Sequence, residues 1–443
     1  EETISETHLN ADFFARANHS FGEQFTGSFL VGLNLNQRKY NEIGATYRNF
    51  ILGQDISDFS NATNENTTPF DWESTRRNSA GYLTATFGFN DMVYLNASSR
   101  VEAASTFGSE AKKYFFYPSA DIAFQFSKLA PFSESRVLSF GKLRAGYGEV
   151  GVEPGPYLTT DDWVPAFFGE SWGPGLDANA YSGAFVRNDV QGNPRLTPER
   201  KKEIEFGTDL RFFSDRLSLS ATYYKNETVD AIFSLPVAPS SGYLFKTANA
   251  ATLENRGIEL EFDGKVISSS DFSWSIGGNW TRNRNEVTDL RGVESLFLSG
   301  FTGVSSRAVQ GQPVGVLWGG RYERNEDGSI VTDEFGFPVT ADTEGVIGDP
   351  NPDWRGGLNT RISYKGFSLY TLFEFSQGGD IWAGTEGVLR NFGTSAHTDV
   401  ETTLSAQEAG SIYLYGGDLV SDVYTPNADG TYTFRGRVED FGG

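Results

Sequence analysis

Apolar and polar residues alternate with a period of two along much of the chain. In the segment Leu217–Tyr223, every second residue is apolar or aromatic, and the residues between them are Ser or Thr. Ile258–Phe262 repeats the pattern with glutamates in the alternate positions, and Phe29–Leu35 and Ser273–Trp280 show it again. Successive side chains of a strand point to opposite faces of a sheet, and helical spacing does not produce this pattern. The alternation therefore predicts strands with one apolar and one polar face.

The predicted strands are joined by links that are alternately short and long. Short links such as 90–91 and 365–366 follow one end of the strands, and long links such as 149–201 and 288–354 follow the other. Outer-membrane barrels have this arrangement, with short periplasmic turns and long extracellular loops, whereas a soluble β-sandwich has no reason for it. The alternation predicts about twelve strands, at residues 11–20, 25–37, 76–89, 92–104, 114–127, 140–148, 202–213, 217–235, 252–266, 272–287, 355–365 and 367–377.

The two ends of this pattern lead to a further expectation. The first predicted strand runs into a short link and the last into the stretch 378–443, so both ends fall on the long-link side. Bacterial barrels normally keep both ends in the periplasm, and two loose sheet edges would leave backbone groups unpaired in lipid. We therefore predict an all-β fold, an antiparallel transmembrane β-barrel of outer-membrane type that is incomplete in this chain. It would supply about twelve strands of a larger barrel, with long extracellular loops near 38–75, 149–201, 288–354 and 378–443.

The composition agrees with a barrel and argues against several classes of function. The chain has 50 Gly and 14% aromatic residues, which suits strands that twist and carry bulky faces. It has no Cys and only His8, His19 and His397, so a metal site built from these residue types is not expected. The net charge of −22 disfavours a nucleic acid partner, because phosphate would be repelled. The sequence has no apolar run long enough for a transmembrane helix and no catalytic motif, so we predict neither an enzyme nor a cofactor.

Five stretches of the chain are similar to motifs that one protein family has in the same order. Leu138–Gly148 (LSFGKLRAGYG) is similar to LSFLKLRASYG, Asn193–Gly207 to the strand entry NPNLKWE…EIGLD, Leu253–Glu261 to NKGIELEL, Gly311–Gly315 to GYPIG, and Ile347–Asp353 with Ile362–Phe367 to IGNPNP…FSYKGF. By these stretches the chain resembles the SusC/RagA family of TonB-dependent outer-membrane transporters. The resemblance runs from about residue 76 to 395, whereas residues 1–75 agree with the family in pattern only. The ordered set is more specific than any one stretch.

This resemblance implies a nutrient importer in the outer membrane of a Gram-negative bacterium. In the family, a SusD-like surface lipoprotein covers the barrel mouth as a lid, and an oligosaccharide or peptide binds between lid and barrel. The TonB–ExbB–ExbD complex acts through an amino-terminal plug, for which these 443 residues contain no counterpart. The final strands of the family barrel also have none, so the resemblance implies that this chain supplies about twelve strands of a larger plugged barrel. The implied partners are therefore the lipoprotein, the TonB complex, outer-membrane lipid and an oligosaccharide or peptide ligand.

Aromatic residues in the long links are the candidates for contact with a substrate or with the lid. Aromatic faces stack on sugars and fill apolar pockets at interfaces, although packing within the loops would also explain them. The candidates are Tyr157, Trp163, Trp172 and Tyr181 in one long link, Trp318 and Tyr322 in another, and Trp382 after the last strand.

The strands themselves supply two further groups of residues. Polar residues on the inward faces predict a wet lumen, and aromatic residues near strand ends or on outward faces predict girdles at the membrane interfaces. The lumen set is Asp121, Gln125, Glu205, Glu259, Glu261, Asn279, Thr281 and Glu374, and the girdle set is Phe115, Phe116, Tyr117, Phe212, Phe213, Tyr223 and Tyr224.

Two other functions remain open from the sequence. A barrel of the same ancestry could serve as a structural or docking subunit of a cell-surface assembly, and a degenerate plug in the full-length sequence would favour this role. A secreted β-rich protein that binds glycans or mediates adhesion is the third alternative. The alternating short and long links argue against it, as do outward apolar residues such as Leu217 and Leu219.

Overall fold

A computed structural model describes residues 2–47, 49–53, 58–169, 176, 182–301, 303–333, 338–392, 394–396, 399, 401–411, 424 and 426–435. The chain divides into two compact units, the first formed by residues 1–294 and 354–376 and the second by residues 295–353 and 377–443. Strands dominate both units. In chain order they are β1 (Glu2–Phe21), β2 (Phe25–Tyr47), β3 (Thr67–Phe89), β4 (Val93–Ala104), β5 (Phe115–Phe124), β6 (Leu138–Val152), β7 (Trp163–Pro165), β8 (Phe185–Arg187), β9 (Val190–Gln191), β10 (Glu199–Phe212), β11 (Leu217–Pro236), β12 (Phe245–Ser268), β13 (Phe272–Asp289), β14 (Ser295–Phe301), β15 (Val304–Val309), β16 (Val316–Gly319), β17 (Gly345–Gly348), β18 (Trp354–Tyr364), β19 (Phe367–Gln377), β20 (Glu401–Leu404) and β21 (Tyr432–Arg435).

Twelve long strands form one antiparallel meander, in which each strand pairs with the next long strand along the chain. The order is β1-β2-β3-β4-β5-β6-β10-β11-β12-β13-β18-β19, and the short β9 adds to β12 in parallel. In the described part of the chain, β1 and β19 are the two edges of this sheet. The prediction of about twelve antiparallel strands is confirmed. Helices are few: α1 (Gly384–Asn391) and α2 (Ala406–Ala409) lie in the second unit. Among the described helices, none has the length and apolarity needed to cross a membrane.

Several strands extend further than the alternation predicted. β1 begins at Glu2 rather than near residue 11, and β2 and β3 pair in register from Phe25 with Phe89 to Tyr47 with Thr67. The link between β11 and β12 covers only residues 237–244, because residue 236 belongs to β11 and residues 245–251 belong to β12, although the alternation placed all of 236–251 in a loop. Polar residues fill these extensions, so the alternation that identified the strand centres is absent there. Backbone pairing continues regardless, because it needs no apolar face.

The register brings the apolar positions of neighbouring strands onto one face. Leu219 lies opposite Leu210 on one side and Phe262 on the other, and Tyr223 lies opposite Phe206 and Ile258. At the other end of the sheet, Phe13 lies opposite Leu33, and these two side chains are 64% and 61% exposed. A continuous apolar face of this size is far larger than the patches that soluble monomers expose. It is the outward face expected of a transmembrane barrel.

The opposite face carries polar side chains that bond to one another across strands. Lys142 Nζ lies 2.7 Å from Asp209 Oδ2, and Arg144 Nε lies 3.7 Å from Glu205 Oε1. Amides extend the network further along the sheet: Asn226 Nδ2 donates to Glu203, Asn255 Nδ2 donates to Asn226, and Asn283 Nδ2 donates to Asn255. The pairing also places predicted lumen residues on this face. Glu259 lies opposite Thr222 and Thr281, Glu261 lies opposite Ser220 and Asn279, and Asp121 accepts a hydrogen bond from Asn96 at 2.8 Å.

Three of the predicted girdle aromatics, Phe115, Tyr117 and Tyr224, alternate with outward residues and so do not lie on the outward face. Tyr224 follows the outward Tyr223, so it points to the polar face, where its hydroxyl donates to Asn283 Oδ1 at 3.1 Å. Tyr117 is only 6% exposed, and the guanidinium of Arg200 lies 5.8 Å from its ring centroid. The sequence predicted a girdle of aromatic residues near strand ends or on outward faces, and this set included the adjacent residues Tyr223 and Tyr224 as well as Phe116 and Tyr117. In a strand, however, adjacent residues take opposite faces.

The second unit has its own small sheets. Strands β14, β15, β16 and β17 form a four-stranded antiparallel sheet, and β20 pairs with β21. The first residues of α2 are stabilised by a capping box, in which the Ser405 hydroxyl accepts from the Glu408 amide and the Glu408 carboxylate accepts from the Ser405 amide. These elements show that the links predicted at 288–354 and 378–443 contain regular structure.

Candidate ligand-binding site

The link between β6 and β10 folds back on itself and on the neighbouring link 237–244. Within it, β7 pairs with β8, and the Asn193 amide donates to the Leu158 carbonyl at 3.0 Å. The amide of Leu244 donates to the Asp189 carbonyl at 2.9 Å, which joins the two links. Backbone hydrogen bonds of this kind hold a loop in one conformation, so this link can present side chains at fixed positions.

A cavity of about 500 Å³ lies between this link and the end of β3. This volume falls within the range of small-molecule sites. Its aromatic residues are Trp72, Tyr157 and Trp163. Its lining is completed by Pro156, Leu158, Thr160, Asp162, Val164, Asn188, Val190, Gly192 and Thr247.

Tyr157 is positioned by its backbone and by two contacts to β3. Its φ of 64° places it in the left-handed region, which few residues other than Gly adopt. Its hydroxyl donates to the Glu73 carbonyl at 2.7 Å, and its ring meets Trp72 edge to face at 5.5 Å between centroids. These contacts offset the unfavourable backbone conformation and fix two aromatic side chains at nearly right angles. Trp72 occupies one of the alternate positions of β3 that point to the polar face, so the cavity opens toward that side of the sheet.

The Arg187 guanidinium connects Trp163 with Tyr243, a residue of the neighbouring link 237–244. It lies 5.8 Å from the Trp163 ring centroid and 5.1 Å from that of Tyr243. The Tyr243 hydroxyl donates to Asp161 Oδ2 at 2.9 Å, and Asp161 Oδ1 accepts from the Gly192 amide at 3.0 Å. The hydrogen bond to the Asp161 carboxylate raises the pKa of Tyr243, because ionisation would place two negative charges side by side. The cation stacked between two rings therefore holds the cavity wall together.

The chemistry of the lining favours an uncharged or weakly charged polar ligand. Exposed aromatic faces alternate with hydroxyl, amide and carboxylate groups, which can hydrogen-bond the hydroxyls of a sugar or the backbone of a peptide. Trp163 is 63% exposed and Trp72 is 49% exposed, so the ring of each residue is accessible to a ligand. In the part of the chain that the structure describes, no group of three His, Asp or Glu residues could hold a metal ion.

The structure brings together two of the predicted aromatic candidates, Tyr157 and Trp163, in this cavity. Trp172 and Tyr181 lie outside the described residues. The other three belong to the second unit. There Trp318 Nε1 donates to Glu344 Oε2 at 2.9 Å, and the Arg307 guanidinium lies 5.1 Å from the centroid of the Trp318 ring. The backbone of Tyr322 forms an isolated antiparallel β-bridge with that of Thr340, and Trp382 is 43% exposed. The role predicted for all seven stays a prediction.

Sequence reasoning missed Trp72, Arg187 and Tyr243. Trp72 lies in the stretch assigned to a loop at 38–75, and only the longer β3 observed here gives it a defined face. Tyr243 lies in a separate link, so no spacing in the sequence connects it with Trp163. A weak signal was present in the aromatic residues Phe70 and Trp72, which alternate with polar residues as in a strand.

Comparison with known proteins identifies the family. The family model described as "TonB dependent receptor-like, beta-barrel" matches residues 3–398. The chain therefore belongs to the TonB-dependent receptor β-barrel family. It is 29% identical over 311 residues to TonB-dependent receptor P3 of Formosa agariphila, a match covering 64% of this chain and 30% of the relative. It is 24% identical over 358 residues to TonB-dependent receptor SusC of Bacteroides thetaiotaomicron, covering 74% and 34%.

Solved structures agree with this assignment. The structure of the RagAB peptide transporter superposes with a TM-score of 0.69 at 22% identity, and the match covers 84% of this chain and 41% of that one. A likeness at this level shows the fold. The matched part of the chain spans between 30% and 41% of the length of these proteins. This TonB-dependent receptor barrel is thus of the SusC/RagA type and an outer-membrane protein, as predicted from the ordered motifs.

Proposed function

We propose that this receptor barrel imports an oligosaccharide or a peptide across the outer membrane, together with a SusD-like surface lipoprotein. The observation that carries the proposal is the aromatic cavity beside the polar face of the sheet. In this proposal the long links, near 38–75, 149–201, 288–354 and 378–443, face the cell exterior, as in outer-membrane barrels generally. The whole chain contributes one partial barrel with these loops.

The polar face of the sheet would offer the ligand a path away from the cavity. A ligand leaving the cavity next to Trp72 would meet the cross-strand network that includes Arg144, Glu205 and Asn226, and not the apolar face. Polar groups that already bond to one another can exchange those bonds with a hydrated ligand at little cost. The face is therefore suited to passage of a polar solute more than to tight retention of one.

The partners follow from the family membership. The TonB-dependent receptor SusC is a relative of this chain, and the RagAB peptide transporter shares its fold. We propose a lipoprotein lid over the long links and energy supplied by TonB–ExbB–ExbD through a plug. We retain Tyr157, Trp163, Trp172, Tyr181, Trp318, Tyr322 and Trp382 as candidate contacts with substrate or lid.

Replacing Trp72 and Trp163 with alanine is expected to reduce uptake about tenfold for each residue, because each removes a stacking face worth roughly 1.4 kcal/mol. The measurement uses cells that carry the complete receptor. Depletion of an oligosaccharide mixture and of a casein peptide digest from the medium is followed by mass spectrometry. A deletion strain and cells treated with a protonophore define the background.

Phe167→Ala is the matched control, because Phe167 is 59% exposed in the same link but does not line the cavity. It should leave uptake unchanged. If deletion of the receptor alters depletion of neither mixture, import is the wrong function and the structural or docking role is favoured. If Phe167→Ala reduces uptake as much as Trp163→Ala, the cavity is not the site.

A further inference from the structure

The aromatic cavity contains a single charged residue among the described residues that line it. That residue is Asp162, and the others are apolar, aromatic or neutral and polar. Asp162 is exposed, and within the described part of the chain its carboxylate has neither an ion pair nor a hydrogen-bond donor. Its backbone carbonyl accepts from the Asn188 amide at 2.9 Å, which fixes the residue beside β7 and β8. The negative charge of Asp162 is therefore available to a ligand.

The preceding residue, Asp161, differs from Asp162 in this respect. Its two carboxylate oxygens accept hydrogen bonds from the Tyr243 hydroxyl at 2.9 Å and from the Gly192 amide at 3.0 Å. The Arg187 guanidinium lies 5.1 Å from the Tyr243 ring centroid, so a positive charge lies near the Asp161 carboxylate. Asp161 thus stabilises the wall of the cavity, whereas no described residue makes use of the charge of Asp162.

The same wall shows which kind of group these residue types hold. The Arg187 guanidinium stacks on Trp163 and Tyr243, next to a carboxylate. Indole rings attract a cation because the face of the ring is electron-rich. The cavity repeats this combination of indole rings and a carboxylate with Trp72, Trp163 and Asp162. Its chemistry is therefore suited to a positively charged group of a ligand.

The charge near Trp72 has the same sign as that of Asp162. Glu42 lies directly opposite Trp72 in the register of β2 and β3, and its carboxylate accepts from the Tyr40 hydroxyl at 2.7 Å. Among the residues that the structure describes, no cation forms an ion pair with Glu42. A sphere of 500 Å³ is about 10 Å across, close to the distance of roughly 8–10 Å over which salt screens a charge. The negative charge therefore acts across the whole cavity.

We propose that the cavity binds its ligand through a positively charged group, with the indole rings of Trp72 and Trp163 against this group and the Asp162 carboxylate as its counter-charge. The inference rests on the import function proposed above and narrows its substrate class. An ammonium group fits the site, and it is carried by the lysine side chain of a peptide or by an amino sugar. The hydroxyl and amide groups of the lining bind the neutral, polar remainder of the ligand.

Asp162 is then the specificity-determining residue of the cavity. Its charge attracts an ammonium group and repels a carboxylate or sulfate at the same position, and repulsion between like charges is an effective way to reject a wrong ligand. Acidic peptides and acidic oligosaccharides would be excluded, although the aromatic rings alone would accept them.

The test compares the uptake of matched ligands that differ in charge. Cells that carry the complete receptor receive a chymotryptic digest of casein or a mixture of chitosan oligosaccharides, and parallel cultures receive the same mixtures after acetylation of their amines. Acetylation removes the positive charge of an amine. Depletion from a mildly acidic medium, in which amino sugars are protonated, is followed by mass spectrometry at concentrations below saturation. A deletion strain defines the background.

The receptor is expected to take up the free amines about tenfold faster than the acetylated forms, and Asp162→Asn should lower this preference to about twofold. The expected loss is about fivefold, because one unit charge contributes this much to the binding of another a few ångströms away in water. Uptake of the acetylated forms should not change. A preference in the peptide digest identifies a lysine side chain as the source of the ammonium, and a preference in the chitosan mixture identifies an amino sugar.

Asp189→Asn is the matched control, because Asp189 is an exposed aspartate of the same link and is not among the described residues that line the cavity. It should retain the full preference. Equal uptake of free and acetylated amines by the unmodified receptor would overturn the inference and leave import intact. A loss of preference in Asp189→Asn as large as that in Asp162→Asn would also overturn it, since the effect would then be one of general charge. If deletion of the receptor alters depletion of neither mixture, the import function itself fails, and this inference fails with it.

Discussion

Leu219→Arg is expected to destabilise the receptor in a lipid bilayer by about 2–4 kcal/mol, the cost of an arginine near the midplane on the lipid face of a barrel. The outward residues of β11 are apolar or aromatic from Leu217 to Tyr223 and become charged at Lys225. Leu219 therefore lies well inside the apolar band, opposite Leu210 and Phe262. The measurement is urea-induced unfolding of the complete receptor folded into lipid vesicles, followed by tryptophan fluorescence.

Ser220→Arg is the control one residue away, on the polar face. The Ser220 hydroxyl donates to Asp209 Oδ1 at 2.9 Å, and Asp209 also pairs with Lys142. A guanidinium at this position would remain hydrated and would meet a carboxylate, so its effect should be well below that of Leu219→Arg. Equal losses of stability in lipid for the two variants would show that the faces have been assigned wrongly.

The alternation predicted the fold because the two faces of a membrane-spanning strand contact different solvents. The residue at position 219 must be apolar because it faces lipid, whereas the residue at position 220 need not be. The same difference between neighbouring positions produces the alternation at the centres of the predicted strands. It ends where the strand leaves the membrane, which is why the outer parts of β2 and β3, from Arg38 to Tyr47 and from Thr67 to Thr75, were predicted to be a loop. Tyr224 was assigned to the wrong face because the pattern divides residues only into apolar and polar ones. A tyrosine on the polar face therefore looks like an outward residue.

The candidate site was less predictable because it depends on contacts between distant parts of the chain. Tyr157 and Trp163 are close in sequence, and their proximity in the cavity could be expected. Trp72 contacts Tyr157 across 85 positions of the sequence, and the Tyr243 hydroxyl donates to Asp161 across 82. Such contacts follow from strand register and loop docking, and neither can be deduced from residue spacing alone. The glycines that permit the docking, such as Gly192, cannot be told apart in the sequence from the rest of its 50 glycines.

Gly192→Ala is expected to disrupt the cavity while leaving the long sheet intact. A Cβ at this position would lie 2.2 Å from the carbonyl oxygen of Thr160, and because that atom is backbone, the loop itself has to move. Overpacking of this kind costs typically about 1–3 kcal/mol. The shift would also lengthen the hydrogen bond from the Gly192 amide to Asp161, and Asp161 is the acceptor that holds Tyr243.

The expected result is faster cleavage of the link 153–198 in limited proteolysis and a loss of uptake comparable to that of Trp163→Ala, with unchanged unfolding of the barrel in urea. Gly155→Ala is the matched control in the same link, because its Cβ would meet only the end of the Leu158 side chain, at 3.3 Å, which can rotate away. If Gly192→Ala resists proteolysis as well as Gly155→Ala does, the close approach to Thr160 is not what fixes this link. If Gly192→Ala instead lowers barrel stability, the link is part of the cooperative unit of the sheet, because only then would local strain be felt throughout it.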